Sequence, residues 1–261
     1  FNNKDSGINN GNFTFFNPAD TLNPPGNKTW YFGDGDSALT DTAFHIYSNY
    51  DTFQTTLIEG TNHGCTDTAT KEITVRPSPT ASFSINQSTQ CFNENTFHLT
   101  NQSTFPKFGT LEKFASFKWS FGDNSSSTDT HAIKTYKTAD TFHVHLLSVA
   151  QNGCRDSVSK NVVVLESPSS NFSINDSSQC FNEQNFEITD QSTVTNDSIT
   201  QNTWIINTDT TRNTKQRTLN NLQPGTHNLH LIAQTSKNCT DTATHQLTVH
   251  PSPVASIQVN D

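Results

Sequence analysis

An internal repeat constrains this chain more than any other feature, because a period held over several markers fixes the size of the folding unit. Gly64-Cys65-Thr66-Asp67-Thr68 returns as Gly153-Cys154-Arg155-Asp156-Ser157 and as Asn238-Cys239-Thr240-Asp241-Thr242, at offsets of 89 and 85 residues. Gln90-Cys91-Phe92-Asn93-Glu94 recurs 89 residues on as Gln179-Cys180-Phe181-Asn182-Glu183. Trp30, Trp119 and Trp204 each stand 35 residues before the cysteine of the first motif; Val75, Val164 and Val249 stand 10 after it, and Pro79, Pro168 and Pro253 follow 4 later. The 261 residues therefore divide into a first repeat, 1–78, a second, 79–167, a divergent third, 168–252, and the first strand of a further one, 253–261. Phe1-Asn2 resembles the Phe-Asn after Cys91 and Cys180, and Ala255-Ser256-Ile257 resembles Ala81-Ser82-Phe83, so the parent chain is expected to be longer at both ends.

Each unit reads as strands. In the second, Ala81, Phe83 and Ile85 alternate with polar residues and mark a first strand. Phe97, Leu99 and Asn101 mark the next. Phe117, Trp119 and Phe121 mark a third, closed by the turn Gly122-Asp123-Asn124. Phe142, Val144 and Leu146 form another, Asn152-Gly153 signals a type I′ hairpin, and Ser157 to Leu165 is the last. No segment has a helical period. The composition agrees: 40 Thr favour strands and 30 Asn favour turns. Hydrophobic content is only 31%, but 19 Phe and 3 Trp supply large rings for a small core. Trp30, Trp119 and Trp204 are expected at the core centres, with Phe97, Phe117, Phe121 and Phe142 around Trp119. The fold expected is all-β: tandem immunoglobulin-like sandwiches in an extended rod, joined by short proline links such as Arg76-Pro77-Ser78-Pro79.

The five cysteines, Cys65, Cys91, Cys154, Cys180 and Cys239, show no C-x-x-C spacing and suit disulfides in an oxidising compartment. Two pairings stay open. One joins Cys91 to Cys154 and Cys180 to Cys239 within repeats. The other joins Cys65 to Cys91 and Cys154 to Cys180 across junctions. The first has an awkward geometry, since the two cysteines of one repeat should lie at opposite ends of an immunoglobulin-like sandwich, yet it is the favoured one, because it lets each repeat stand alone and leaves Cys65 for a cysteine expected just before Phe1.

Charge and apolar runs narrow the class. With 15 basic and 24 acidic residues the net charge is −9, which argues against a nucleic-acid partner. The most apolar stretch is far too short to cross a bilayer, so direct membrane insertion is not expected. There is no G-x-S-x-G, H-E-x-x-H or Gly-rich phosphate loop, and no enzymatic activity is expected.

Trp30-Tyr31-Phe32-Gly33-Asp34-Gly35-Asp36, then His45-Ile46-Tyr47, then Asp51-Thr52-Phe53-Gln54-Thr55-Thr56-Leu57 resembles the PKD (polycystic kidney disease) domain, with its W-x-F-G-D-G core followed by H-x-Y. The second unit carries Trp119-Ser120-Phe121-Gly122-Asp123-Asn124, Thr135-Tyr136 and Asp140-Thr141-Phe142. The third has lost the glycines, reading Trp204-Ile205-Ile206-Asn207-Thr208-Asp209. The resemblance implies an immunoglobulin-like fold. Its variant with Gly-Cys-x-Asp-Thr and a second cysteine is similar to repeats of large Bacteroidetes surface proteins, exported by the type IX system and active in adhesion or gliding. That implies an extracellular, bacterial cell-surface location.

Asp34 and Asp36 around Gly35, with Asp123 in the second unit, are candidate ligands for Ca²⁺, which takes 6–8 oxygen donors. The competing expectation is a turn held by Asp–backbone bonds. Asp67, Asp156 and Asp241 are expected to bond the hairpin or the adjoining unit. The function expected is a non-enzymatic stalk segment of a cell-surface adhesin or filament, whose partners are the neighbouring repeats. The alternative is a carbohydrate- or protein-binding module, in the adhesin itself or accessory to a secreted hydrolase. It would contact surface glycan or other surface proteins through exposed aromatics such as Tyr31, Tyr50 and Phe92.

Overall fold

The computed structural model describes residues 12–17, 27–106 and 113–259. The described part is all-β apart from a 3-10 turn at Phe181–Glu183. Each repeat carries two sheets. In the third, the strands Phe172–Ile174, Phe186–Asp190 and Gln216–Leu219 form one sheet. The other has the order Ser178–Cys180, Thr240–His250, Gly225–Thr235, Ile199–Ile206, Asp209–Arg212. The second repeat has the same plan, with Phe83–Ile85, Phe97–Asn101 and Ala132–Lys134 in one sheet and Phe114–Ser120, Thr141–Ala150 and Arg155–Leu165 central in the other. In the first, Asn12–Phe16 pairs with Thr42–Ile46, opposite a sheet of Ser37–Ala38, Asn27–Tyr31, Asp51–Gly60 and Thr66–Val75.

Contacts divide the chain into two compact units. One holds the described residues up to Asn86 with His98–Lys134 and His143–Asn161; the other holds Gln87–Phe97, Thr135–Phe142 and the described residues from Val162 on. The second repeat contributes to both.

Alternation builds the cores. Along Phe186–Asp190 and Gly225–Thr235 every second side chain points inward, which buries Phe186, Ile188, Leu229 and Leu231 beside Trp204. In the first repeat Phe15, Trp30, Phe32 and Tyr47 form the equivalent cluster. Trp30, Trp119 and Trp204 are all fully buried. Each indole N–H donates to a carbonyl ten residues on, of Thr40, Asp129 and Thr214, at 2.8–3.0 Å. A buried donor is thereby satisfied without a second side chain.

Two local expectations are corrected. Phe117 is only half-buried; it packs on Phe114, with ring centroids 4.7 Å apart, toward the hairpin end of its strand. The Asn152-Gly153 hairpin is not type I′, which needs positive φ at both central residues. Ala150 N–H bonds Cys154 O at 2.8 Å around a three-residue loop, and only Gly153 is left-handed, at φ 86°. Gly64 (φ 83°) and Asn238 (φ 66°) take its place in the other repeats; Asn is the side chain that best tolerates this region. Residues 253–259 form no strand, and Val254, Ile257 and Val259 are exposed.

Candidate functional site

Two places concentrate chemistry: the turn after each tryptophan strand, and the cysteines at the ends of each repeat.

In the first two repeats the turn begins with a left-handed glycine, and Asn207 (φ 53°) takes its place in the third. Gly33 and Gly122 have φ of 87° and 82°, and a Cβ on either would lie 2.7–2.9 Å from the backbone of Gln54 or His143 on the neighbouring strand. This close approach aims the next residue, Asp34 or Asp123, toward the opposite sheet. Asp34 Oδ1 accepts the Asp36 N–H at 3.2 Å, and its Oδ2 lies 2.7 Å from Nε2 of His45, which stands in Thr42–Ile46. His45 stacks on Phe32, centroids 4.1 Å apart, and is 9% exposed. Tyr47 completes the H-x-Y pattern: its O–H donates to Phe32 O at 2.8 Å and meets Thr55 Oγ1 at 3.1 Å. Burial pushes the Tyr47 phenol above its ordinary value.

Asp34, Asp36 and His45 each offer one ligand atom, all within 4.8 Å of one another, so the trio could hold a cation. One imidazole and two carboxylates are a poor donor set for Ca²⁺, which prefers an all-oxygen shell. Among the described residues the second repeat has no such trio. Lys134 takes the place of His45, with Nζ 2.6 Å from Asp123 Oδ2 and 5.3 Å from the centre of the Phe121 ring. An ammonium cannot ligate a metal. Burial alone would raise the Asp123 carboxyl, but the bonds from Lys134 and Ser125 together outweigh it and hold the group below its ordinary value. In the third repeat, without the glycine, Arg217 of Gln216–Leu219 pairs with Asp209. Three different bases on the same strand meet an acid from the same turn. The shared property is an acid–base contact that clasps one sheet to the other.

The cysteines pair differently from both sequence schemes. Cys91 is bonded to Cys239, with Cα atoms 5.5 Å apart and 148 residues between them. Cys65 and Cys180 are exposed and outside any disulfide, and Cys154 is half-buried. Strand register explains why the within-repeat pairing fails. Cys180 ends a short strand parallel to the last strand of its repeat, opposite His250. Cys239 precedes the other end of that strand, Thr240–His250. The strand has 11 residues, so the two cysteines lie roughly 35 Å apart, where a disulfide needs Cα atoms within about 7 Å. In the second repeat Cys91 lies opposite Leu165 and Cys154 precedes Arg155, at the two ends of another 11-residue strand. One cysteine thus marks the exit end of a repeat and the other its hairpin end, and the bond joins an exit end to the next repeat's hairpin end.

Asp156 and Asp241 were singled out by sequence reasoning, whereas roles for Gln90, Asn93 and their counterparts Gln179 and Asn182 were not, although their recurrence was visible. The Gln90 side-chain amide clamps its own loop, donating to Thr96 O at 3.0 Å and accepting from Thr96 N–H at 2.7 Å; Gln179 does the same to Asn185. Asn93 N–H donates to Ser167 Oγ at 3.0 Å and Asn182 N–H to Ser252 Oγ at 3.2 Å, which ties each loop to the link that follows. Asp156 accepts the Ala81 N–H at 2.8 Å and Asp241 the Ser170 N–H at 2.7 Å, which fixes where each repeat begins. Asn93 Nδ2 also reaches Asp241 Oδ1 at 3.4 Å, beside the disulfide.

Among the described residues no helix is long and apolar enough to cross a membrane. No protein-family model matches the chain, and no curated protein matches it. Among solved structures it is similar to the PKD1 domain of the Vibrio cholerae metalloprotease PrtV, at 20% identity and a TM-score of 0.29 over 34% of this chain and 98% of that one. It is similar to the PKD1 domain of Vibrio anguillarum Epp at 18% identity and a TM-score of 0.30, over 35% and 98%. An I-band fragment from titin aligns over 93% of both chains at 12% identity and a TM-score of 0.43. The architecture itself, paired small sheets repeated along the chain, is that of tandem immunoglobulin-like sandwiches.

Proposed function

We propose that this chain is a non-enzymatic, extracellular structural segment of a large bacterial cell-surface adhesin or filament. Its repeats are 1–78, 79–167 and 168–252, with 253–261 opening another. The Gly-Cys-x-Asp resemblance extends the proposal to surface proteins of the gliding, type IX-exported kind. The observation that carries the structural role is the Cys91–Cys239 bond, which makes one repeat's exit end and the next repeat's hairpin end a single covalent piece. A disulfide placed there serves to transmit tension past a sandwich without unfolding it. The recurrent bonds of Asn93, Asn182, Asp156 and Asp241 to the links support the same role.

Pulling the oxidised chain from its two ends tests this. The 148-residue separation closed by the disulfide keeps roughly 500 Å of contour out of the extension until a reductant is added. Full extension of the oxidised chain would overturn the role.

One observation favours a second function, a binding module. Phe16, Phe44 and Ile46 are all exposed, on the outer face of the pair Asn12–Phe16 and Thr42–Ile46, while Tyr31 and Phe92 are exposed elsewhere. A glycan and surface-protein array, probed with calcium and then with a chelator, separates the two. Saturable binding lost in Phe44→Ser would establish recognition; its absence in folded, oxidised protein would leave the structural role alone.

A further inference from the structure

Cys65 and Cys180 are each one half of the Cys91–Cys239 arrangement, already built. Around Cys239, Thr235 N–H donates to Cys239 O at 2.9 Å and Cys239 N–H to Thr235 Oγ1 at 3.2 Å. Around Cys65, Thr61 N–H donates to Cys65 O at 2.8 Å and Cys65 N–H to Thr61 Oγ1 at 3.2 Å. The same hairpin thus presents both sulfurs, after a left-handed Gly64 in one case and Asn238 in the other.

The exit ends agree as closely. Cys91 lies opposite Leu165 and Cys180 opposite His250, each as the last residue of a short parallel strand. Gln90 and Gln179 clamp the loops that follow, and Asn93 and Asn182 dock on Ser167 and Ser252. The difference is burial: Cys239, bonded, is fully buried, whereas Cys65 and Cys180 are exposed. A backbone that preforms both halves needs no rearrangement to close the bond.

We propose that Cys180 and Cys65 are complementary attachment points for further repeats of this same kind. Cys180 takes the hairpin cysteine of a following repeat, and Cys65 takes the exit-end cysteine of another. The bonds form head to tail, so the interface is heterologous. The step is an oxidation. The two thiols lose two protons and two electrons and form one S–S bond, while a low-molecular-weight disulfide such as glutathione disulfide is cleaved to two thiols. The inference rests on the structural role above and adds its chemistry of extension.

The chain supplies its own probe, since one copy offers Cys180 to the Cys65 of another. The full chain carrying Cys154→Ser is concentrated in a glutathione redox buffer and analysed by non-reducing electrophoresis and mass spectrometry of its cross-linked peptides. The Cys91–Cys239 peptide in the same digest reports that the chain is folded. Random pairing of two equally exposed thiols gives Cys65–Cys180 links about twice as often as either symmetric link. The expected result is a ladder of oligomers in which Cys65–Cys180 exceeds each symmetric link by about tenfold or more, about five times the random ratio, an alignment preference of about 1 kcal/mol. Adding Cys65→Ser should reduce the ladder to dimers. A random ratio, or no linkage in protein that retains the Cys91–Cys239 peptide, overturns the proposal. Either result leaves the pulling experiment, and the structural role it tests, untouched.

Discussion

The Lys134 ammonium lies 2.6 Å from the Asp123 carboxylate, in the place that His45 takes against Asp34. In the third repeat Arg217, two places earlier on the equivalent strand, pairs with Asp209, one place later after the tryptophan, so the contact is kept with a third base and a shifted acid. Such variation suits a polar clasp and does not suit a metal site, whose ligands are not interchangeable with an ammonium. His45→Lys should therefore fold, melt within a few degrees of the parent and show no response to calcium, as followed by calorimetry with and without chelator. A calcium-dependent rise in melting temperature that disappears in His45→Lys would instead establish a cation site at Asp34, Asp36 and His45.

The clasp makes stability depend on pH in a stated direction. The folded Asp123 carboxyl sits below its ordinary value of 3.8, so its contribution is fully present above that value. It is lost as pH falls from there through the lower, folded value. Lys134→Ala removes the ammonium bond, and the acid limb of the stability–pH curve should then become shallower. Denaturant unfolding between neutral pH and pH of about 3 measures this; an unchanged slope would mean the pair is not coupled to folding.

Two glycines with nearly equal φ should respond differently to alanine. Gly122→Ala places a Cβ 2.9 Å from His143 N, in addition to the left-handed backbone cost, and is expected to lose well over 2 kcal/mol. Gly153→Ala meets nothing within 4 Å and should lose only about 1–2 kcal/mol. Gly153→Asn should be milder still, because Asn238 already occupies the equivalent turn. Equal losses for the two alanine variants, by chemical unfolding, would contradict the close approach at Gly122.

How far the sequence could be read follows from what kind of information each feature carries. Alternation at Phe83, Phe97, Trp119, Val144 and Val164 reports which side of a strand is wet, and those residues are buried. Trp30, Trp119 and Trp204 were legible as core because they recur at one phase of the repeat. The partner of Cys91 was not legible. Spacing along the chain places Cys91 nearest in sequence to Cys65 and in the same repeat as Cys154, but a disulfide answers to ends of strands. The opposite-end geometry was visible in outline; what was missing was the short strand Thr89–Cys91, whose parallel pairing with Val163–Leu165 puts the sulfur at the exit end. The clasp was hidden for a different reason. His45, Lys134 and Arg217 share no residue type, and the third is out of step with the other two by two positions, so only the opposite sheet reveals that they do one job.

Asp241 is expected to matter more than a surface carboxylate normally does. Its Oδ2 accepts the Ser170 N–H at 2.7 Å and its Oδ1 the Asn93 amide at 3.4 Å, so Asp241→Ala unpairs a backbone donor beside the disulfide. A loss of about 1–3 kcal/mol is expected. Hydrogen exchange should show the Ser170 amide opening faster, while the Ala81 amide, held by Asp156, keeps its protection. Equal exchange at both sites would mean that each aspartate does not anchor its own repeat.

The covalent pairing of the cysteines is the measurement on which the account turns. Oxidised protein is alkylated, digested without reduction, and its linked peptides are sequenced by mass spectrometry. The account predicts a Cys91–Cys239 peptide, with Cys65 and Cys180 alkylated in the monomer. A Cys91–Cys154 or Cys180–Cys239 peptide would close each repeat on itself and contradict a staple between repeats.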